Sequence, residues 1–162
     1  MLKSESHLYL PPNRPVAMGS NGMVASAHLL ASQAGIQILI DGGNAFDAAV
    51  ATASTLNVVE PYMSGVGGIG LALAYVASER RVRVLNFSGR APMAAEPEIF
   101  TDETKNSGIL ASMVPGNVAG WLTLHEAYGS LERERLFQPA INYATDGFPI
   151  THFNSSMIAK GT

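Results

Sequence analysis

Residues 45–59, AFDAAVATASTLNVV, are apolar on most sides. A helix with that pattern is buried, so other elements must pack on it from several directions. Both of its ends are marked. Asn44 is a good N-cap, and Asp47 puts a negative charge in the first turn, where the helix dipole favours it. Glu60-Pro61 ends the helix, because proline disfavours helical geometry in the residue before it.

Upstream, MVASAHLLASQAGIQILIDGGN places Met23, Ala27, Leu30, Ala34 and Ile38 on one helical stripe. The pattern predicts a helix from about Met23, stopped by Gly42-Gly43. Residues 1–21, with Pro11, Pro12 and Pro15, read as an irregular lead-in to a unit spanning 22–162.

Downstream, MSGVGGIGLALAY sets Gly65, Gly67 and Gly70 in the spacing G-x-G-x-x-G. A dinucleotide-binding turn needs a strand before the glycines and a helix after them, so that the helix N-terminus faces the pyrophosphate. Here a helix precedes and a strand follows. No acidic residue ends the hairpin that follows; Asn86 and Ser88 stand there. The glycines therefore read as sites of sharp turning and close packing, and no nucleotide is expected.

Next, LALAYVA is a continuous apolar run, as in a strand covered on both faces. SERR is a polar turn. In RVRVLNF, Val82 and Val84 alternate with Arg81 and Arg83, as in a half-exposed strand. Residues 70–88 are thus predicted to form a β-hairpin. Residues 93–109 read as loop. A helix is expected from about Asn117 to Tyr128. LERERLFQPAINYATDGFP predicts one or two short helices, broken or restarted at Pro139 and closed by Gly147. After residue 150 no closing element is recognisable.

Hydrophobic residues make up 47% of the 162 positions and charged residues 14%, against roughly 25% charged in an average soluble domain. Much of the chain is therefore buried, in its own core or against further polypeptide. The net charge of −3 and the lack of a basic run argue against a nucleic-acid partner. There is no Cys, so disulfides and thiol chemistry are excluded. No apolar run reaches the ~18 residues of a membrane span, and the start lacks the apolar core of a signal peptide. The sequence as it stands reads as soluble and cytoplasmic, or periplasmic or secreted if a leader has been removed.

Candidate chemistry is sparse. In Ser88-Gly89-Arg90-Ala91-Pro92, Arg90 leaves a strand end between a glycine and Ala-Pro. It could offer its planar fork to a carboxylate, or be an ordinary surface arginine beside a turn. Thr151-His152 pairs a hydroxyl with an imidazole, but neighbours in sequence seldom face one substrate and no acid stands nearby. A turn or helix-cap role is favoured. His28 and His125 fall in predicted helices without a His or carboxylate at i+4, so no metal site is expected. Trp121 reads as a core anchor. Residues and spacing give an α+β unit and no reaction.

Whole blocks of the sequence say more. GMVASAHLLASQAGIQILIDGGNAFDAAVATASTLNVVEPYMSGVGGIG resembles the start of the γ-glutamyltranspeptidase family. VPGNVAGWLTLHEAYG and LFQPAINYATDGFPI resemble later parts of that family's large subunit. The match runs over residues 22–150 in the same order. The resemblance implies a partial αββα sandwich of the N-terminal nucleophile hydrolase type. It also implies a precursor that cuts itself before a threonine, which becomes the N-terminus of a small subunit. That threonine attacks the γ-glutamyl amide of glutathione or a similar donor, and the acyl group passes to water, an amino acid or a peptide. No metal or organic cofactor is implied. The nucleophile would lie beyond residue 162, so Thr151 is not it, and the 162-residue chain alone is expected to be inactive. The implied partners are a small-molecule γ-glutamyl donor, the rest of the large subunit and the small subunit.

In well-known members of that family, an Arg-Glu two residues ahead of Ala-Pro supplies an arginine for the donor's α-carboxylate. Aligned on Ala91-Pro92, this chain has Ser88-Gly89 there, with Arg90 next to Ala91. Arg90 either substitutes from a shifted position or marks a branch with another donor, a related amidase or acylase. A non-catalytic scaffold that binds another chain is the third reading.

Overall fold

The computed structural model describes residues 16–160. The part of the lead-in at residues 1–15 lies outside them; residues 16–21 are irregular, as expected. The order of elements is α1 (Leu29–Ile40), α2 (Ala45–Val59), β1 (Gly70–Val76), β2 (Arg81–Phe87), two short 3-10 turns (Pro97–Ile99 and Ile109–Ala111), α3 (Asn117–Tyr128), α4 (Arg133–Asp146) and α5 (His152–Lys160). No helix among the described residues is long and apolar enough to cross a membrane.

The buried helix is as the sequence predicts. Asn44 caps α2 in a reciprocal capping box with Asp47, and Glu60 closes it. α1 and α4 pack on α2, α3 touches it with Tyr128 stacked on Phe46, and the hairpin lies against α3. The core is Ile38, Val50, Ala48, Ala51, Trp121 and Leu136, with Phe87, Leu124, Leu131 and Phe137 packed around it. Trp121 is the core anchor its type suggested.

Four expectations are corrected. First, α1 starts at Leu29, not near Met23. The His28 ring accepts the Leu30 N–H, and Ser26 Oγ donates to the His28 carbonyl, so residues 22–26 stay outside the helix. His28 is therefore a helix cap and not a helical residue. Second, Pro139 does not break α4. Leu136 and Ala140 both bury against the core around it, which offsets the roughly 3 kcal/mol that an interior proline costs. Third, residues 152–160 form α5, which Thr151 caps: its Oγ1 accepts the Asn154 N–H at 3.1 Å.

The fourth correction concerns the hairpin. Its register pairs Leu71 with Asn86, Leu73 with Val84 and Tyr75 with Val82, and cross-strand partners share a face. That face is open: Leu73 is 77% and Val84 69% exposed. The small residues Ala72 and Ala74 turn inward beside Thr123, Leu124 and Ala127 of α3. So β1 is covered on one face only, and the valines of β2 point outward where the alternation had suggested the reverse.

Candidate functional site

The 65–70 glycines lie between the end of α2 and the start of β1, the order that argued against a dinucleotide turn. Close packing holds for two of the four glycines here. A Cβ on Gly70 would strike the Phe87 ring at 2.5 Å, and one on Gly68 would meet Asn117 Nδ2 at 2.8 Å. Gly65 and Gly67 face open space, and packing does not explain them.

Gly68 is part of a knot that joins three segments. Its carbonyl accepts the N–H groups of Gly116 (2.9 Å) and Asn117 (3.0 Å) at the start of α3. Gly116 rests on the Phe87 carbonyl, and Gly120 on the Phe87 ring, too closely for any side chain. Phe87 is the last residue of β2. The chain then turns through Gly89, at φ 79° and pressed on the Val114 carbonyl. Arg90 follows, exposed, with no hydrogen bond or ion pair among the described residues. Beside it, Asn86 Oδ1 accepts both the N–H and the hydroxyl of Ser88, at 2.9 and 2.6 Å. The structure thus presents one unpaired guanidinium at a strand exit whose backbone is firmly held.

A second cluster was invisible in the sequence. Asp47, fully buried on α2, accepts the Asn44 N–H (3.0 Å), the Ser130 N–H (3.1 Å) and the Ser130 hydroxyl (2.6 Å). Burial pushes its carboxyl up, but the hydrogen bonds from the Ser130 hydroxyl and from the backbone of Asn44, Ser130 and Leu131 outweigh this and hold it below its ordinary value. His125 Nε2 lies 3.9 Å from Asp47 and 2.7 Å from the Leu131 carbonyl. Serine, histidine and aspartate meet here, but in the wrong order for nucleophilic catalysis. A working triad has the imidazole between hydroxyl and carboxylate. Here the carboxylate is central and takes the serine proton's hydrogen bond. The cluster clasps the α3–α4 turn to α2.

Thr151 and His152 do not converge. Thr151 Oγ1 is spent on Asn154, as a cap and as a donor to its side chain. A groove of about 800 Å³ runs between residues 21–26 and α2, but no titratable side chain lines it. Of the residues singled out in the sequence, Arg90 in the 88–92 loop is the one that the described residues leave exposed and without a partner.

Comparison with known proteins places this architecture. The chain superposes on the γ-glutamyltranspeptidase of Helicobacter pylori with a TM-score of 0.85 at 33% identity, covering 90% of this chain and 44% of that one. It matches the cephalosporin acylase of Bacillus halodurans with a TM-score of 0.80 at 36% identity, covering 97% of this chain and 30% of that one. The fold is accordingly α+β, part of an αββα sandwich of the N-terminal nucleophile hydrolase type. Among curated proteins it is 38% identical over 148 residues to a glutathione hydrolase proenzyme of Bacillus subtilis, covering 85% of this chain. The family profile described as Gamma-glutamyltranspeptidase matches residues 31–162, and the chain belongs to that family. It spans about a quarter of the length of the curated relatives it matches.

Proposed function

We propose that this chain is the N-terminal part of the large subunit of a γ-glutamyl hydrolase or transferase, and that it supplies the loop that binds the acyl donor. The observation that carries the reading is the Arg90 loop. A guanidinium with no partner leaves a braced strand end in a chain of this family. A donor's α-carboxylate is a fitting partner, because a planar cation can meet it with two parallel hydrogen bonds. The threonine nucleophile comes from polypeptide beyond residue 162, and the precursor cuts itself to free it. The freed α-amine then serves as the base. The open face of the hairpin, with Leu71, Leu73, Tyr75, Val82 and Val84 exposed together, is covered by the rest of the large subunit and the small subunit, since adjoining exposed apolar residues mark an interaction surface.

A second reading, an acylase with a different acyl group, is favoured by one observation. Ser88 and Gly89 stand where an Arg-Glu pair is found in well-known γ-glutamyltranspeptidases, and the acylase match is at 36% identity.

The test is turnover of a γ-glutamyl anilide. The full-length precursor should cleave itself and release the anilide, and the 162-residue chain alone should not. Self-cleavage without γ-glutamyl turnover would move the acylase reading ahead. Turnover by the 162-residue chain, lost on Thr151→Ala, would overturn the placement of the nucleophile.

A further inference from the structure

We infer that Asn117 is a positioning residue that ties the 65–68 turn to the exit of β2 and so fixes the loop presenting Arg90. The kinetic part of this inference rests on the reading of Arg90 above; the mechanical part does not.

Asn117 is 6% exposed at the first position of α3. Its Nδ2 donates to the Gly65 carbonyl at 2.8 Å, while its own N–H and that of Gly116 converge on the Gly68 carbonyl. The turn is closed by its own Gly68 N–H on the Gly65 carbonyl, and Asn117 grips both of its ends from α3. The same residue is welded to the strand exit through its neighbour. Gly116 touches the Phe87 carbonyl, and a Cβ on it would lie 3.7 Å from the Gly89 nitrogen. Gly89 in turn rests on the Val114 carbonyl. The path from Asn117 to the residue before Arg90 thus runs through glycines packed too closely on their neighbours to accept a side chain.

An amide is suited to this position. α3 has no side-chain N-cap, and its N-cap residue is Gly116, so the carbonyls of the turn take the place of a capping side chain. The Gly65 carbonyl takes the Gly68 N–H at 2.8 Å, which closes the turn, and on its second lone pair the Asn117 amide, which ties the turn to α3; Asn can give that second hydrogen and Asp cannot. Aspartate at a helix start is otherwise favourable, because it meets the positive end of the dipole. Asn117→Asp therefore separates two roles. It strengthens α3 as a helix and loosens the turn and the loop behind it. Ordinary stabilisation of α3 would give no such split.

Two measurements test this. In the 162-residue chain, trypsin cuts after Arg90 and after Lys105, which sits in the separate 101–107 turn held by its own Thr101–Thr104 and Asp102–Lys105 contacts. Asn117→Ala and Asn117→Asp should each speed cleavage at Arg90 about tenfold relative to Lys105, as expected for local opening after the loss of one buried hydrogen bond. No change, or equal acceleration at both bonds, overturns the inference. In the full-length enzyme, Asn117→Asp should raise KM for the γ-glutamyl donor about tenfold and leave kcat within about twofold, since binding geometry and not chemistry is disturbed. If Arg90→Ala raises KM and Asn117→Asp does not, Asn117 does not position the loop. If Arg90→Ala leaves KM unchanged, the reading of Arg90 fails, and the trypsin ratio alone decides whether Asn117 braces the loop.

Discussion

Replacing Asp47 by Ala removes the acceptor of three hydrogen bonds at once. The Asn44 N–H, the Ser130 N–H and the Ser130 hydroxyl all point at a carboxylate with no exposed surface. A hydrogen bond to a charged group is worth roughly 1.5–3 kcal/mol, so the sum could reach several kcal/mol. Ser130 itself is exposed, and water can reach its two donors once the carboxylate is gone. Most of the loss then comes from the capping box of α2 and the cavity, and the net cost is about 3 kcal/mol. For a domain of this size that lowers Tm by about 10 °C. The pH dependence has a definite sign. The folded carboxyl is held below its ordinary value, so its contribution is complete above the unfolded pKa of about 4 and is lost as pH falls through the lower folded pKa. Wild-type stability should therefore drop below about pH 4, and Asp47→Asn should flatten that acid limb while lowering the pH 7 plateau. Urea unfolding followed by Trp121 fluorescence at pH 7 and pH 3 measures both. A loss under about 1 kcal/mol for Asp47→Ala, or an unchanged acid limb in Asp47→Asn, would refute the clasp.

Other outcomes follow from the same contacts. Leu136 is fully buried, so Leu136→Ala should cost about 3 kcal/mol in urea unfolding, and a near-neutral result would place α4 wrongly. Gly116→Ala drives a methyl into the Phe87 carbonyl and should cost about 2 kcal/mol in the same assay. The open hairpin face should make the 162-residue chain bind a hydrophobic dye or self-associate, and Leu71→Lys with Leu73→Lys should weaken both. A dye-negative, cooperatively melting monomer would show that the face needs no partner.

The sequence revealed α2 almost residue by residue, because its caps, its first-turn acid and its apolar pattern agree with one another. The hairpin was legible from two apolar-rich runs around a polar turn, and α3 from its position after a Pro-Gly turn. Where local signals compete with tertiary contacts, they misled. The apolar stripe from Met23 looked helical, but His28 and Ser26 satisfy backbone groups at the helix start. Pro139 looked like a break, but Leu136 and Ala140 are buried on the core around it. The direction of the valines in β2 could not be read, since alternation tells which residues share a face and not which face is covered. The place of Arg90 at a strand end was legible in the sequence. Asn117 and the Asp47–Ser130–His125 cluster were not, because their partners lie 52 and 83 residues away in the chain.

The central claim is that Arg90 meets the carboxylate of the acyl donor, and kcat/KM of the full-length enzyme on a γ-glutamyl anilide tests it most directly. Arg90→Lys keeps the charge and loses the planar fork, and Arg90→Ala loses both. Because a charged hydrogen bond is worth roughly 1.5–3 kcal/mol, kcat/KM should fall about ten- to a hundredfold. Arg80→Lys, in the exposed hairpin turn, should be close to silent. Wild-type kcat/KM in both Arg90 variants would contradict the claim and move the related-acylase reading, or another arginine downstream, ahead.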